Sequence, residues 1–224
     1  FCGNQTVSGT AINFLAPGLA LFLCRLFFDG AAMTKTVALE SKIPKYLDGV
    51  FVDGSFMAKV FNQDAAVYLA LLAVLGLWFL LYHTRFGLRV RAIGEHPRAA
   101  DTLGVRVGVY RYVAVILSGF LAGVGGASLS IGVSSTYMIG TVSGQGFIAM
   151  AAMIFGKWKP QGALGACLIF GAAQALVVYL GWPGRLNISA DFLSMIPYLL
   201  TLAILMGLGK TVAPAADGQP YEKS

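Results

Sequence analysis

Four stretches of this chain, residues 65–82, 112–156, 161–180 and 192–209, contain no Asp, Glu, Lys, Arg or His. In lipid, every backbone polar group must be satisfied within the segment, and crossing the hydrocarbon core as helix takes roughly 20 residues. The chain is therefore expected to be all-α, a polytopic helical membrane protein. Charged residues make up 12% of it, against roughly 25% in soluble domains.

Six membrane segments are expected. The first runs over 7–28, with Pro17 and Asn13 inside it, and the second over 65–82. A third covers 112–131 and a fourth 139–155, whose first half is polar and glycine-rich. The fifth covers 162–180 and the sixth 192–208. Together they make a single membrane domain over 1–209, followed by a tail at 210–224. The chain starts with Phe1, already in an apolar region, and is read as amino-terminally incomplete.

Between the first two uncharged stretches lies a charged island, residues 84–111. Arg85, Arg89, Arg91, Arg98, Arg106 and Arg111 fall in it, against Glu95 and Asp101. If all six segments cross, ten Lys and Arg and four acidic residues share the island's side, while six of each lie on the other. Basic residues near segment ends mark the cytoplasmic face, so the island and the carboxyl terminus are expected there. The same asymmetry accounts for the net charge of +6, and no nucleic-acid partner is expected. Residues 29–64 then form an extracytoplasmic loop of mixed charge. Within the island, GEHPRAADTLG has the form of a short helix, with Pro97 suited to its first turn and Gly104 to the residue just past its end.

Cys2, Cys24 and Cys167 lie in apolar surroundings without metal-ligand spacing, so neither a metal nor another cofactor is expected. Gly209-Lys210-Thr211 imitates the end of a phosphate loop, but the first glycine of that motif would fall at Ile204. ATP chemistry would therefore belong to another chain. Coupled carriers and intramembrane enzymes need ionisable groups at depth, and the uncharged stretches hold none. The chain is expected to have no catalytic residue. Polar uncharged residues remain: Asn13, Ser118, Ser143, Gln145 and Gln174 are candidates to line a path for a neutral polar solute, or else to bond neighbouring helices. Gly119, Ala122, Gly123 and Gly126 have the small-residue spacing that lets helices approach closely.

The runs FGLRVRAIGEHPRAADTLGV, SGFLAGVGGA and GQGFIAMAAMIFGKWKPQGALGA, with NQTVSGTAINFLAPGL near the start and GQPYEKS at the end, resemble bacterial ABC-transporter permeases of the nucleoside and simple-sugar import group. The terminal GQPY resembles the nucleoside branch. The resemblance implies a permease subunit that forms a membrane path for nucleosides in the bacterial plasma membrane, surrounded by lipids. It implies as partners separate ABC ATP-binding subunits, a second permease subunit that is a related but different chain, and an extracytoplasmic substrate-binding lipoprotein. Arg98-Ala99-Ala100-Asp101-Thr102-Leu103-Gly104 has the spacing of the EAA-x-x-x-G coupling pattern of such permeases, with Arg98 in the place of its Glu. The coupling set is thus Gly94, Glu95, Arg98, Ala99, Ala100, Leu103 and Gly104, with Ala99, Ala100 and Leu103 expected on one docking side. A simple-sugar or branched-chain amino acid permease is the alternative within the superfamily. A membrane-embedded enzyme and a purely structural subunit are the alternatives outside it.

Overall fold

The computed structural model describes residues 5–38, 61–142, 144–181, 195, 199, 212–219 and 221. Among these residues the regular elements are helical: α1 (Gln5–Phe27), α2 (Ala65–His83), α3 (Arg85–Glu95), α4 (Pro97–Thr102), α5 (Val107–Ser128), a π-helical turn (Leu129–Ser134), α6 (Gln145–Phe155) and α7 (Pro160–Leu180). Four helical stretches, Val7–Phe27, Ala65–His83, Val107–Ser134 and Pro160–Leu180, are long and apolar enough to cross a membrane. Their large apolar side chains, among them Phe14, Leu72, Ile116, Phe120 and Leu168, lie exposed, as lipid-facing side chains do. The expected sixth segment, 192–208, falls almost wholly outside the described residues, and so does most of the loop at 29–64.

The chain divides into two units. In the first, which holds α1 to α5, the π-helical turn and the carboxyl-terminal segment from Ala215, α2 ends at an abrupt reversal. Thr84 is extended, with φ −115° and ψ 156°. Its hydroxyl donates to the Leu80 carbonyl at 2.5 Å and accepts from the Gly87 amide at 3.1 Å. The reversal brings Gly87 against the Leu80 and Leu81 backbone, where a Cβ would overlap main-chain atoms. At the other end of α5, the Ser128 and Ser130 hydroxyls donate to the Gly125 and Gly126 carbonyls, each at 2.8 Å. There the helix widens into the π turn and stops at Ser135, whose φ is 58°. The segment after α1 meets this point: the Thr34 amide donates to the Tyr137 carbonyl at 3.0 Å and the Val37 amide to the Ser135 carbonyl at 2.8 Å.

The second unit is a helical hairpin of α6 and α7. Its turn passes through Lys157 and Trp158, with φ values of 54° and 58°. Pro160 opens α7 at a position where a missing N–H costs nothing. Gly156 and Gly162 touch backbone to backbone, so neither tolerates a Cβ without a shift. Ala152, Ala166 and Phe170 form the buried seam, flanked by Ile148 and Phe155.

Two boundaries differ from the sequence reading. α5 starts at Val107 rather than 112, because the edge of an apolar run need not be the edge of a helix and tertiary packing overrides the weak propensities of Val107 and Gly108. In the fourth segment, 139–155, helix begins only at Gln145, after the left-handed Gly144 with φ 80°. Eleven residues span about 16 Å at 1.5 Å per residue, roughly half the hydrocarbon core.

Candidate functional site

The island folds as an elbow of two helices, α3 and α4, followed by the first turns of α5. The sequence reading located the second helix and missed the first. α3 is short and arginine-rich and buries Gly87 and Ile93. His96 ends α3 and precedes α4: its amide donates to the Ala92 carbonyl at 2.9 Å, while its carbonyl accepts from Ala100 at 3.1 Å. Pro97 takes the first helical position of α4.

The far end of α4 closes through main-chain bonds. Gly104 has φ +79°. Its amide donates to the Asp101 carbonyl at 2.8 Å, and the Val105 amide donates to the Ala100 carbonyl at 3.1 Å. This pair of bonds is a Schellman motif, and Val105 packs against the apolar cluster that contains Ala100. Ala100 also joins Ile93 and Val107 in a small buried cluster, against which Val105, Tyr110 and Tyr221 pack.

The expected docking side is divided. Ala100 is 4% exposed and turns into its own chain, while Leu103 is 84% exposed and Ala99 is exposed beside it. One turn of helix separates Ala99 from Leu103, so these two share an outward stripe with Ala100 behind them. Arg98 and Glu95 are also exposed, and Gly94 is half-buried.

Aromatic rings hold several of the arginines. The Arg91 guanidinium lies 4.7 Å from the Tyr82 ring centre. Arg89 donates to the Tyr110 hydroxyl at 2.6 Å, and the Tyr110 ring leans on Phe86 at 5.4 Å between centroids. The carboxyl-terminal segment also lies on the elbow. The Ala216 amide donates to the Gly94 carbonyl at 2.9 Å, Arg111 donates to the Gln219 carbonyl at 3.3 Å, and the Arg111 guanidinium stands 5.7 Å from the Tyr221 ring centre. Desolvation, with the nearby Asp101 carboxylate, raises the Tyr221 phenol above its ordinary range, against the opposing pull of Arg111 and Arg98. Between segment and elbow lies a cavity of about 610 Å³, lined in part by Glu95, His96, Arg98, Ala216, Gln219 and Tyr221. Sequence reasoning missed the place of Tyr221 and Ala216; the signal was GQPY, read there only as a mark of resemblance.

Of the candidate path residues, Asn13 and Ser118 are exposed on α1 and α5, and Ser143 lies outside the described residues. Gln145 and Gln174 meet across the α6–α7 hairpin, where the Gln174 Nε2 donates to the Gln145 Oε1 at 3.5 Å. Gly119, Ala122, Gly123 and Gly126 are exposed on α5. A Cβ added at Gly119, Gly123 or Gly126 would meet nothing within 4 Å. Among the described residues, no group of three or more His, Cys, Asp or Glu could hold a metal ion.

Long apolar helices joined by a capped, arginine-bearing elbow define a multi-pass membrane protein, and its relatives are transport subunits. The chain belongs to the family described as the branched-chain amino acid transport system permease component, whose family model matches residues 1–205. It is similar to the nucleoside ABC transporter permease protein NupC of Lactococcus lactis, 42% identical over 99% of this chain and 70% of that protein. It is equally similar to the guanosine ABC transporter permease protein NupQ of Bacillus subtilis, 42% identical over 100% of this chain and 70% of that one. A putative glucose ABC transporter permease protein of Haloferax volcanii, TsgC13, is 33% identical over 90% of this chain and 66% of its own length. No solved structure matches the chain.

Proposed function

We propose that this chain is a permease subunit of an ATP-driven importer and forms a membrane path for nucleosides. The observation that carries the reading is the near-complete match at 42% identity to permeases named for nucleosides and for guanosine. The geometry agrees with it. An elbow ending in a short capped helix with an exposed Leu103 suits a coupling helix that seats on a separate ATP-binding subunit. ATP-driven closure of two such subunits would move the elbow, and a pair of permease chains would rearrange around a central path. A ligand drives such a step only through differential affinity for the two states.

The partners in this reading are ABC ATP-binding subunits, a second and related permease chain, and an extracytoplasmic lipoprotein that delivers the solute. The chain sits in the bacterial plasma membrane with the elbow and carboxyl terminus cytoplasmic, as the distribution of Lys and Arg favours. Gln145 and Gln174 are the candidate solute contacts, since paired carboxamides match the donor and acceptor edge of a nucleobase.

The test is solute-stimulated ATP hydrolysis in liposomes by the full-length permease with its partner permease, ATPase and binding protein. Wild type is expected to respond to nucleosides. Gly104→Trp, which forces a bulky side chain into a φ of +79°, is expected to assemble without responding. A response to sugars or amino acids alone would change the substrate class, and failure of the ATPase to associate would overturn the importer reading.

A further inference from the structure

α4 has six residues, too few to persist by its own hydrogen bonds, and its buried contact with the rest of the elbow is the single methyl group of Ala100. What holds it at a fixed angle must come from outside the helix. The carboxyl-terminal segment reaches all three helices of the elbow. On α3, the Ala216 amide satisfies the Gly94 carbonyl, one of the carbonyls that a helix end leaves open. On α4, Asp101 lies near enough to Tyr221 for its carboxylate to help raise the phenol. On α5, Arg111 binds the Gln219 carbonyl and covers the Tyr221 ring. That ring also packs against the cluster of Ile93, Ala100 and Val107, one residue from each helix. Ala216 itself is 8% exposed, so the segment is seated on the elbow.

We propose that residues 215–219 and 221 form a splint that fixes the angle of α4 against α3 and α5, with Tyr221 as the positioning residue that acts through its ring on the Ala100 cluster and through Arg111. The inference rests on the reading of α4 as the coupling helix. It adds that a coupling stroke passes through a joint stiffened by the far end of the same chain. Without the splint, α4 would still meet the ATPase, but its movement would be absorbed at the His96 corner instead of passing into α5.

The experiment has two arms, both on the full-length permease. In lipid nanodiscs, amide hydrogen exchange is followed over residues 97–105 for wild type, Tyr221→Ala, Tyr221→Phe and Ala216→Pro. Tyr221→Ala is expected to speed exchange there about tenfold, the scale of losing a ring packed on the Ala100 cluster. Ala216→Pro, which removes the N–H that Gly94 accepts, is expected to do the same. Tyr221→Phe keeps the ring and is expected to fall between Tyr221→Ala and wild type, and it decides the matter should Tyr221→Ala fail to fold. In liposomes with the partner subunits, Tyr221→Ala is expected to bind the ATPase and keep basal hydrolysis while losing most of the solute-stimulated part, and Tyr221→Phe to restore it. Unchanged exchange over 97–105, or faster exchange with stimulation intact, overturns the splint. A wild-type assembly that answers no solute overturns the importer reading instead, and the exchange arm still decides whether the segment holds α4.

Discussion

Gly87 and Gly104 look alike in sequence, and the structure gives them different duties. Gly104 supplies a left-handed turn, so Gly104→Ala should cost about 1–2 kcal/mol of local stability and leave the surrounding packing unchanged. Gly87 supplies contact with the α2 backbone. Gly87→Ala must push two helices apart and should cost about 1–3 kcal/mol or more, read as a lower melting temperature of the purified permease in detergent. The first role was legible in the sequence, because Pro97 and Gly104 bracket α4 as start and stop signals. The second was not: the approach of α3 to α2 depends on the reversal at Thr84, a contact that apolar periodicity does not encode. Gln145 and Gln174 make a third case. Both were singled out as polar residues at depth, and only the hairpin shows that they meet. Gln145→Ala with Gln174→Ala should lower nucleoside uptake at limiting solute roughly two- to thirteenfold, the range for one net hydrogen bond of about 0.5–1.5 kcal/mol, without lowering ATPase binding.

Among the elements, those whose boundaries are set by composition were read well. The spans around α1, α2 and α7 agree with the sequence to within a few residues. The boundaries that failed are set by other forces: α5 begins among arginines, and α6 is delayed by Gly144 and the polar residues before it. α4 was expected to dock through Ala99, Ala100 and Leu103, yet the closure at Gly104 turns Ala100 inward. Leu103, exposed at the tip, is then the apolar residue of α4 most available to a partner. Leu103→Asp should leave the elbow folded and weaken ATP-binding subunit association by about tenfold, about 1.4 kcal/mol. Ala100→Asp should instead disrupt the cluster with Ile93 and Val107 and lower the yield of folded protein.

For the whole molecule, the first unit ties both ends of its helices. The segment after α1 bonds to the residues beyond the π turn, while the carboxyl-terminal segment bonds to the elbow. The sidedness expected from the arginines was supplied by sequence alone. Whether α6 belongs to a full crossing was not legible, because charge counting assumes a crossing and α6 is half the needed length. Single cysteines at Arg98 and Lys157, probed with an impermeant thiol reagent, should label from the cytoplasmic side alone, and one at Lys35 from the opposite side. Labelling of Lys157→Cys from outside would make the stretch before it re-entrant.

The two bonds that close α4 are made between peptide groups, so no side chain on its outer surface takes part in them. Form and surface chemistry at this joint are therefore inherited separately: residues 98, 99 and 103 can be exchanged for others while the fold of the connector stays constant. In the proposed importer, a different engine could be fitted by altering a few outward residues without redrawing the part embedded in lipid.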